Sequence, residues 1–84
     1  MPTVLRIGGL RFVIWPNDHD PPHVHVFSAD AEAKIAIGSL GKRPRLLENR
    51  RMKRADLAVA LRAVSEHQAM LFQKWSEIHG RLGI

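Results

Sequence analysis

Near residue 53 the hydrophobic pattern of this 84-residue chain changes period, from alternation every second residue to recurrence every third or fourth. A strand shows successive side chains to opposite faces, whereas a helix returns to one face after three or four residues. The switch divides the chain into a sheet-forming half and a helix-forming half, and at this length both must share one modest core. The expected fold is α+β: a small antiparallel sheet of three to four strands packed against one long C-terminal helix. A single domain over 1–84 is expected, with strands and loops over about 3–52 and the helix over about 53–79.

Val4-Leu5-Arg6-Ile7 and Leu10-Arg11-Phe12-Val13-Ile14-Trp15 are β-branched and aromatic runs joined by Gly8-Gly9, a pair suited to the positive φ angles of a tight hairpin, and Pro16 closes the second run. His23 to Phe27 alternates valine with histidine, and Ala33 to Ile37, closed by Gly38, supplies a fourth candidate strand. Arg45-Leu46-Leu47 fits either a short edge strand or a loop, since Gly41, Pro44 and dense charge surround it. Leu57, Leu61, Val64, Leu71, Trp75 and Ile78 mark one helical face, with a gap at Gln68 and a stop at Gly80. Ala58, Ala60 and Ala63 favour the helix and permit close approach to the sheet.

The chain has no cysteine, which removes disulfides and thiolate metal sites. It shows neither a signal peptide nor an apolar run of membrane-spanning length, so a cytoplasmic protein with no membrane partner is expected. A formal net charge of +5 points toward acidic partners, nucleic acid or protein.

The chemistry gathers in Asn17-Asp18-His19-Asp20-Pro21-Pro22-His23-Val24-His25-Val26, where three imidazoles and two carboxylates flank two rigid prolines. On a strand His23 and His25 share a face while Val24 and Val26 enter the core, and Pro21-Pro22 keeps the approach extended. Two imidazoles so placed can hold a divalent zinc, manganese or nickel ion with a third ligand, for which His19, Asp18 and Asp20 are nearest in sequence. Without metal, His19, His23 and His25 with Asp18 could serve as an acid-base centre for phosphodiester cleavage. The plain alternative is a turn held by Asx hydrogen bonds, with the histidines serving no site. His67, on the helical face of Val64 and Leu71, is a secondary candidate ligand, although a histidine on such a stripe is more often part of the packing.

This segment, followed by Ala33-Lys34-Ile35 and by His67, Leu71 and Trp75 at four-residue spacing, resembles the bacterial family catalogued as domain of unknown function 4160. The resemblance covers nearly the whole chain, and its Asp-His-x-Pro-Pro-His-x-His core places Asp18, His19, Pro21, Pro22, His23 and His25 at the motif positions. Leu46 to Met52 departs from the glycine- and proline-bearing turn expected there. The resemblance implies a short stand-alone protein of a toxin-antitoxin-like gene pair, with a cognate small protein encoded nearby as partner.

Lys42, Arg43, Arg45, Arg50, Arg51, Lys53 and Arg54 form a basic run opposed internally only by Glu48. Arginine offers forked donors to phosphate and carboxylate, which makes Arg43, Arg45, Arg50, Arg51, Lys53 and Arg54 the candidate surface for a partner or nucleic acid. A solvated loop is the bland alternative. Three functions follow as expectations: an interaction module, alone or as a homo-oligomer; a small ribonuclease or phosphodiesterase; or a structural domain with no site. No cofactor is required by the first or third.

Overall fold

The computed structural model describes residues 3–19, 21–38 and 41–79. Five strands, β1 (Thr3–Ile7), β2 (Leu10–Val13), β3 (His23–Phe27), β4 (Glu32–Ala36) and β5 (Arg45–Arg50), precede two helices, α1 (Arg54–Glu66) and α2 (Gln68–His79). The strands form one antiparallel sheet in the order β1-β2-β3-β4-β5. The expected α+β class holds, while the strand count rises from three or four to five and the single helix becomes two.

The extra strand is β5, where the sequence left strand and loop open. Neither face of it is buried, so it carries no alternating signal, and its place comes from pairing with β4 (Ala36 opposite Arg45, Glu32 opposite Arg50). A register shift between Lys34 and Ile35 takes up one extra residue on β5, a bulge that puts Leu46 opposite Ile35 but Glu48 opposite Lys34. The helix division falls at His67, whose backbone (φ −112°, ψ 22°) leaves the helical region. Hydrogen bonds still run across it, from His67 N–H to Ala63 O (3.0 Å) and from Leu71 N–H to His67 O (2.8 Å). The apolar stripe therefore continues through the break.

Alternation on β3 sends Val24 and Val26 into a core shared with Phe12, Ile35 and Ile37 of the sheet side and Ala60, Ala63, Val64, Leu71 and Trp75 of the helices. Ala60 and Ala63 are buried at the α1 contact and let its backbone lie close to the sheet as expected, whereas Ala58 is exposed and takes no part in it. The β1–β2 turn needs only one left-handed residue, Gly8 (φ 58°).

The turn from β5 into α1 is held by Asn49. Its Nδ2 donates to Met52 O (3.2 Å), and its Oδ1 accepts from Met52 N–H (2.9 Å), which brings Met52 into the core with Arg51 at φ 69°. Replacing Asn49 with alanine leaves that N–H without its acceptor. An expected loss of about 1–2 kcal/mol follows, read as a lower urea midpoint with unchanged slope; a midpoint within error of the parent contradicts this role for Asn49.

Gln68, the gap in the helical stripe, has a function in the fold. Its side-chain amide donates to Ile37 O (2.8 Å) and Lys42 O (2.9 Å), tying the start of α2 to the chain between β4 and β5.

Candidate functional site

Asp18 lies in the connection between β2 and β3, and the loop closes on it twice. Its N–H donates to Trp15 O (3.1 Å), while its Oδ2 accepts from Trp15 N–H (3.0 Å). The first bond closes a β-turn over Trp15 to Asp18 with Pro16 at its second position, and in the second the Asp18 carboxylate reaches back to the N–H that opens the turn. This also fixes the carboxylate in direction. The other end of α2 meets the same loop, since His79 Nε2 lies 3.1 Å from Trp15 O.

His23 and His25 project from the side of β3 opposite Val24 and Val26, two residues apart as the strand period requires. Their rings meet edge to face at 5.1 Å between centroids. Each ring has one nitrogen held by its surroundings: His23 Nδ1 is 2.8 Å from Pro21 O, and His25 Nδ1 is 3.2 Å from Glu32 Oε2. The other nitrogens converge on one carboxylate, His23 Nε2 at 3.5 Å from Asp18 Oδ2 and His25 Nε2 at 3.3 Å from Asp18 Oδ1. The three side chains are 7%, 13% and 13% exposed for His23, His25 and Asp18, so the group is recessed but reached by solvent. Trp75 covers His23 with ring centroids 5.4 Å apart and stacks on His79 at 3.8 Å.

Of the residues named from the sequence, Asp18, His23 and His25 come together, with ligating atoms all within 4.8 Å of one another. His19 is exposed and is not part of this group. Asp20 lies outside the described residues. His67 places Nδ1 2.9 Å from Ala63 O within its own helix and is likewise not part of the group. Glu32 escaped sequence reasoning, and so did the part played by the main chain of Pro21, a residue named only for its rigidity and its place in the motif. Glu32 reaches His25 from the neighbouring strand, a pairing set by register, and Pro21 contributes only its carbonyl.

The basic residues occupy the β5 edge. Arg43, Arg45, Arg50, Arg51, Lys53 and Arg54 are all exposed, but they do not form one patch. Arg43 and Arg45, with Lys42, line a cleft of about 450 Å³ beside Pro21, Pro22 and Phe72. Arg51 and Lys53 line another, of about 530 Å³, beside Asp30, Asp56 and the Gly8-Gly9 turn. Five residues lie between Arg45 of the first group and Arg51 of the second, which sets them roughly 20 Å apart along the edge. Arg50 is partly spent within the chain: its Nε donates to Glu48 Oε2 at 2.7 Å, which holds the Glu48 carboxyl below its usual range and raises the guanidinium.

A short α+β domain with a five-strand meander, two C-terminal helices and an aspartate facing a strand-borne histidine pair is the class that fold and site define. The chain belongs to the family described as Domain of unknown function (DUF4160), whose model matches residues 9–76. That span contains Asp18, His23, His25, Glu32 and β5, and stops just after Trp75. Comparisons with curated proteins and with solved structures give no match. No helix among the described residues is long and apolar enough to cross a membrane.

Proposed function

We propose that this chain is a small interaction protein that takes a partner protein along its β5 edge, with the flanking cations selecting an acidic surface. The observation that carries the reading is the exposure of all six residues of β5 at the end of the sheet. An outer strand offers unpaired N–H and C=O groups along its free side, and an extended segment of another chain can add to it by main-chain hydrogen bonds. Leu46 and Leu47, each 37% exposed, give that segment apolar contact, and the cations at both ends of the strand give it a sign. Membership of a toxin-antitoxin-like pair, with the partner encoded nearby, rests on the family resemblance alone.

Co-expression with the neighbouring gene product tests this. Replacing Arg50, Arg51 and Arg54 with glutamate is expected to weaken the complex at least tenfold, and added salt should weaken the parent complex. A complex indifferent to both, or no complex, removes the reading. Self-association of the chain alone by light scattering assigns the edge to a second copy, and salt-dependent binding to RNA or DNA without the protein partner assigns the cations to phosphate.

A hydrolytic reading draws on the recessed Asp18, His23 and His25 group, which has the residue types of a phosphodiesterase centre. The clefts beside Phe72 and beside the Gly8-Gly9 turn are lined by other residues, so they offer an RNA strand no seat over this group. RNA cleavage by the purified chain that disappears on replacing His23 and His25 would establish it.

A further inference from the structure

We propose that Asp18, His23 and His25 bind one divalent transition-metal ion, with zinc the best fit, and that Pro21 O and Glu32 are the outer groups that set both rings for it. The inference is independent of how β5 is used.

The argument begins on the far side of each imidazole. The carbonyl of Pro21 can only accept, and an ionised Glu32 can only accept, so the nitrogens facing them, Nδ1 of His23 and Nδ1 of His25, carry the protons. In a neutral ring the proton on Nδ1 leaves Nε2 with its lone pair. Both lone pairs then face the oxygens of one carboxylate at 3.5 Å and 3.3 Å, contacts longer than a well-formed N–H···O bond.

Protonating both rings does not resolve this well. Charge-assisted N–H···O bonds close to about 2.7–2.9 Å, shorter than either contact here. Two imidazolium rings 5.1 Å apart between centroids, on side chains 7% and 13% exposed, would also repel each other. A divalent cation between the three groups removes both difficulties. It takes up the two lone pairs and the carboxylate charge at once.

The distances agree with that occupant. Bonds of about 2.0–2.1 Å at a tetrahedral ion put neighbouring ligand atoms about 3.3–3.4 Å apart, and the Asp18 contacts, through Oδ2 to His23 and Oδ1 to His25, are close to that at 3.5 Å and 3.3 Å. All three ligand atoms lie within 4.8 Å of one another, and any pair wider than about 3.4 Å closes to that spacing when a tetrahedral ion binds.

The donor set selects the metal class. Two imidazoles and one carboxylate suit zinc, manganese or nickel, whereas calcium and magnesium take oxygen shells. Donation of the remote N–H to a backbone carbonyl or a carboxylate is the usual support of a metal-bound histidine, and both forms occur here. Three protein ligands leave a further position for water or for an incoming carboxylate or phosphate oxygen.

The test uses the tag-free full chain, stripped with chelator and titrated with Zn²⁺ by calorimetry and with Co²⁺ by visible absorption. One ion per chain is expected, with Co²⁺ bands of a four-coordinate site and a higher melting temperature in Zn²⁺. His25→Gln and Asp18→Asn, close in shape to the parent residues, are expected to lose binding while retaining the far-ultraviolet spectrum of the fold. Glu32→Gln is expected to weaken it about 10- to 100-fold and keep the Co²⁺ bands. His19→Ala and His67→Ala should bind like the parent. Equal Zn²⁺ binding by parent, His25→Gln and Asp18→Asn, or no binding by the folded parent, overturns the proposal; so does a loss confined to His19→Ala.

Discussion

Replacement of Phe12 by alanine is expected to cost about 3–5 kcal/mol, close to the whole stability of a domain this size at the lower end of its range. Phe12 is fully buried and sits on β2 opposite Val26 of β3 and Leu5 of β1, so its ring joins three strands to the helices. The loss has two parts, the transfer of the ring out of the core and the cavity that the neighbours cannot close. A backbone pinned by strand pairing on both sides limits that closure. Urea unfolding of the variant should show a midpoint near zero or no folded baseline, and a drop below about 1 kcal/mol would contradict the central position given to this ring.

Gly38→Ala is expected to be the second most damaging of the changes considered, for a reason unrelated to apolar burial. Gly38 stands at φ 82°, and an added Cβ would come within 2.8 Å of Lys42 O and 2.8 Å of Gln68 Nε2. The first of these atoms is backbone and the second holds Ile37 O and Lys42 O in place, so neither can move aside without releasing the start of α2. Left-handed strain and this collision together should cost roughly 2–4 kcal/mol. Gly8→Ala is the control. Its φ is also positive, at 58°, but a Cβ there meets nothing within 4 Å. It should cost only the backbone component, on the order of 1–2 kcal/mol. Equal losses at the two glycines, measured by urea midpoints, would show that the contact with Gln68 and Lys42 contributes nothing.

These cases also show which parts of the fold the sequence could reveal. β3 was legible to the residue because Val24 and Val26 are buried on one side and His23 and His25 stand on the other, which is the alternation a strand must have. β5 has no buried face and hence no period, and only its partner β4 makes it a strand. The break at His67 was hidden for the opposite reason: hydrogen bonds on both sides of it keep Val64 and Leu71 on one stripe, so the apolar spacing passes through unbroken. The site divides in the same way. The histidine pair follows from strand geometry, but the choice of Asp18 over His19 depends on one residue of loop path, set by the two bonds to Trp15. Glu32 is further from sight because it meets His25 diagonally across the β3–β4 register, which pairs Glu32 with Phe27 and His25 with Lys34.

The strand order has a consequence for how the chain reaches this state. Each strand pairs only with the strand before or after it in the sequence, so the sheet can assemble by closing short connections in turn. Short closures lose little chain entropy, and proteins built from near neighbours cross their folding barrier faster than those that must first bring distant segments together. Single-exponential refolding is expected, with growth of the sheet from its hairpins, and the helices completing the core from its far side.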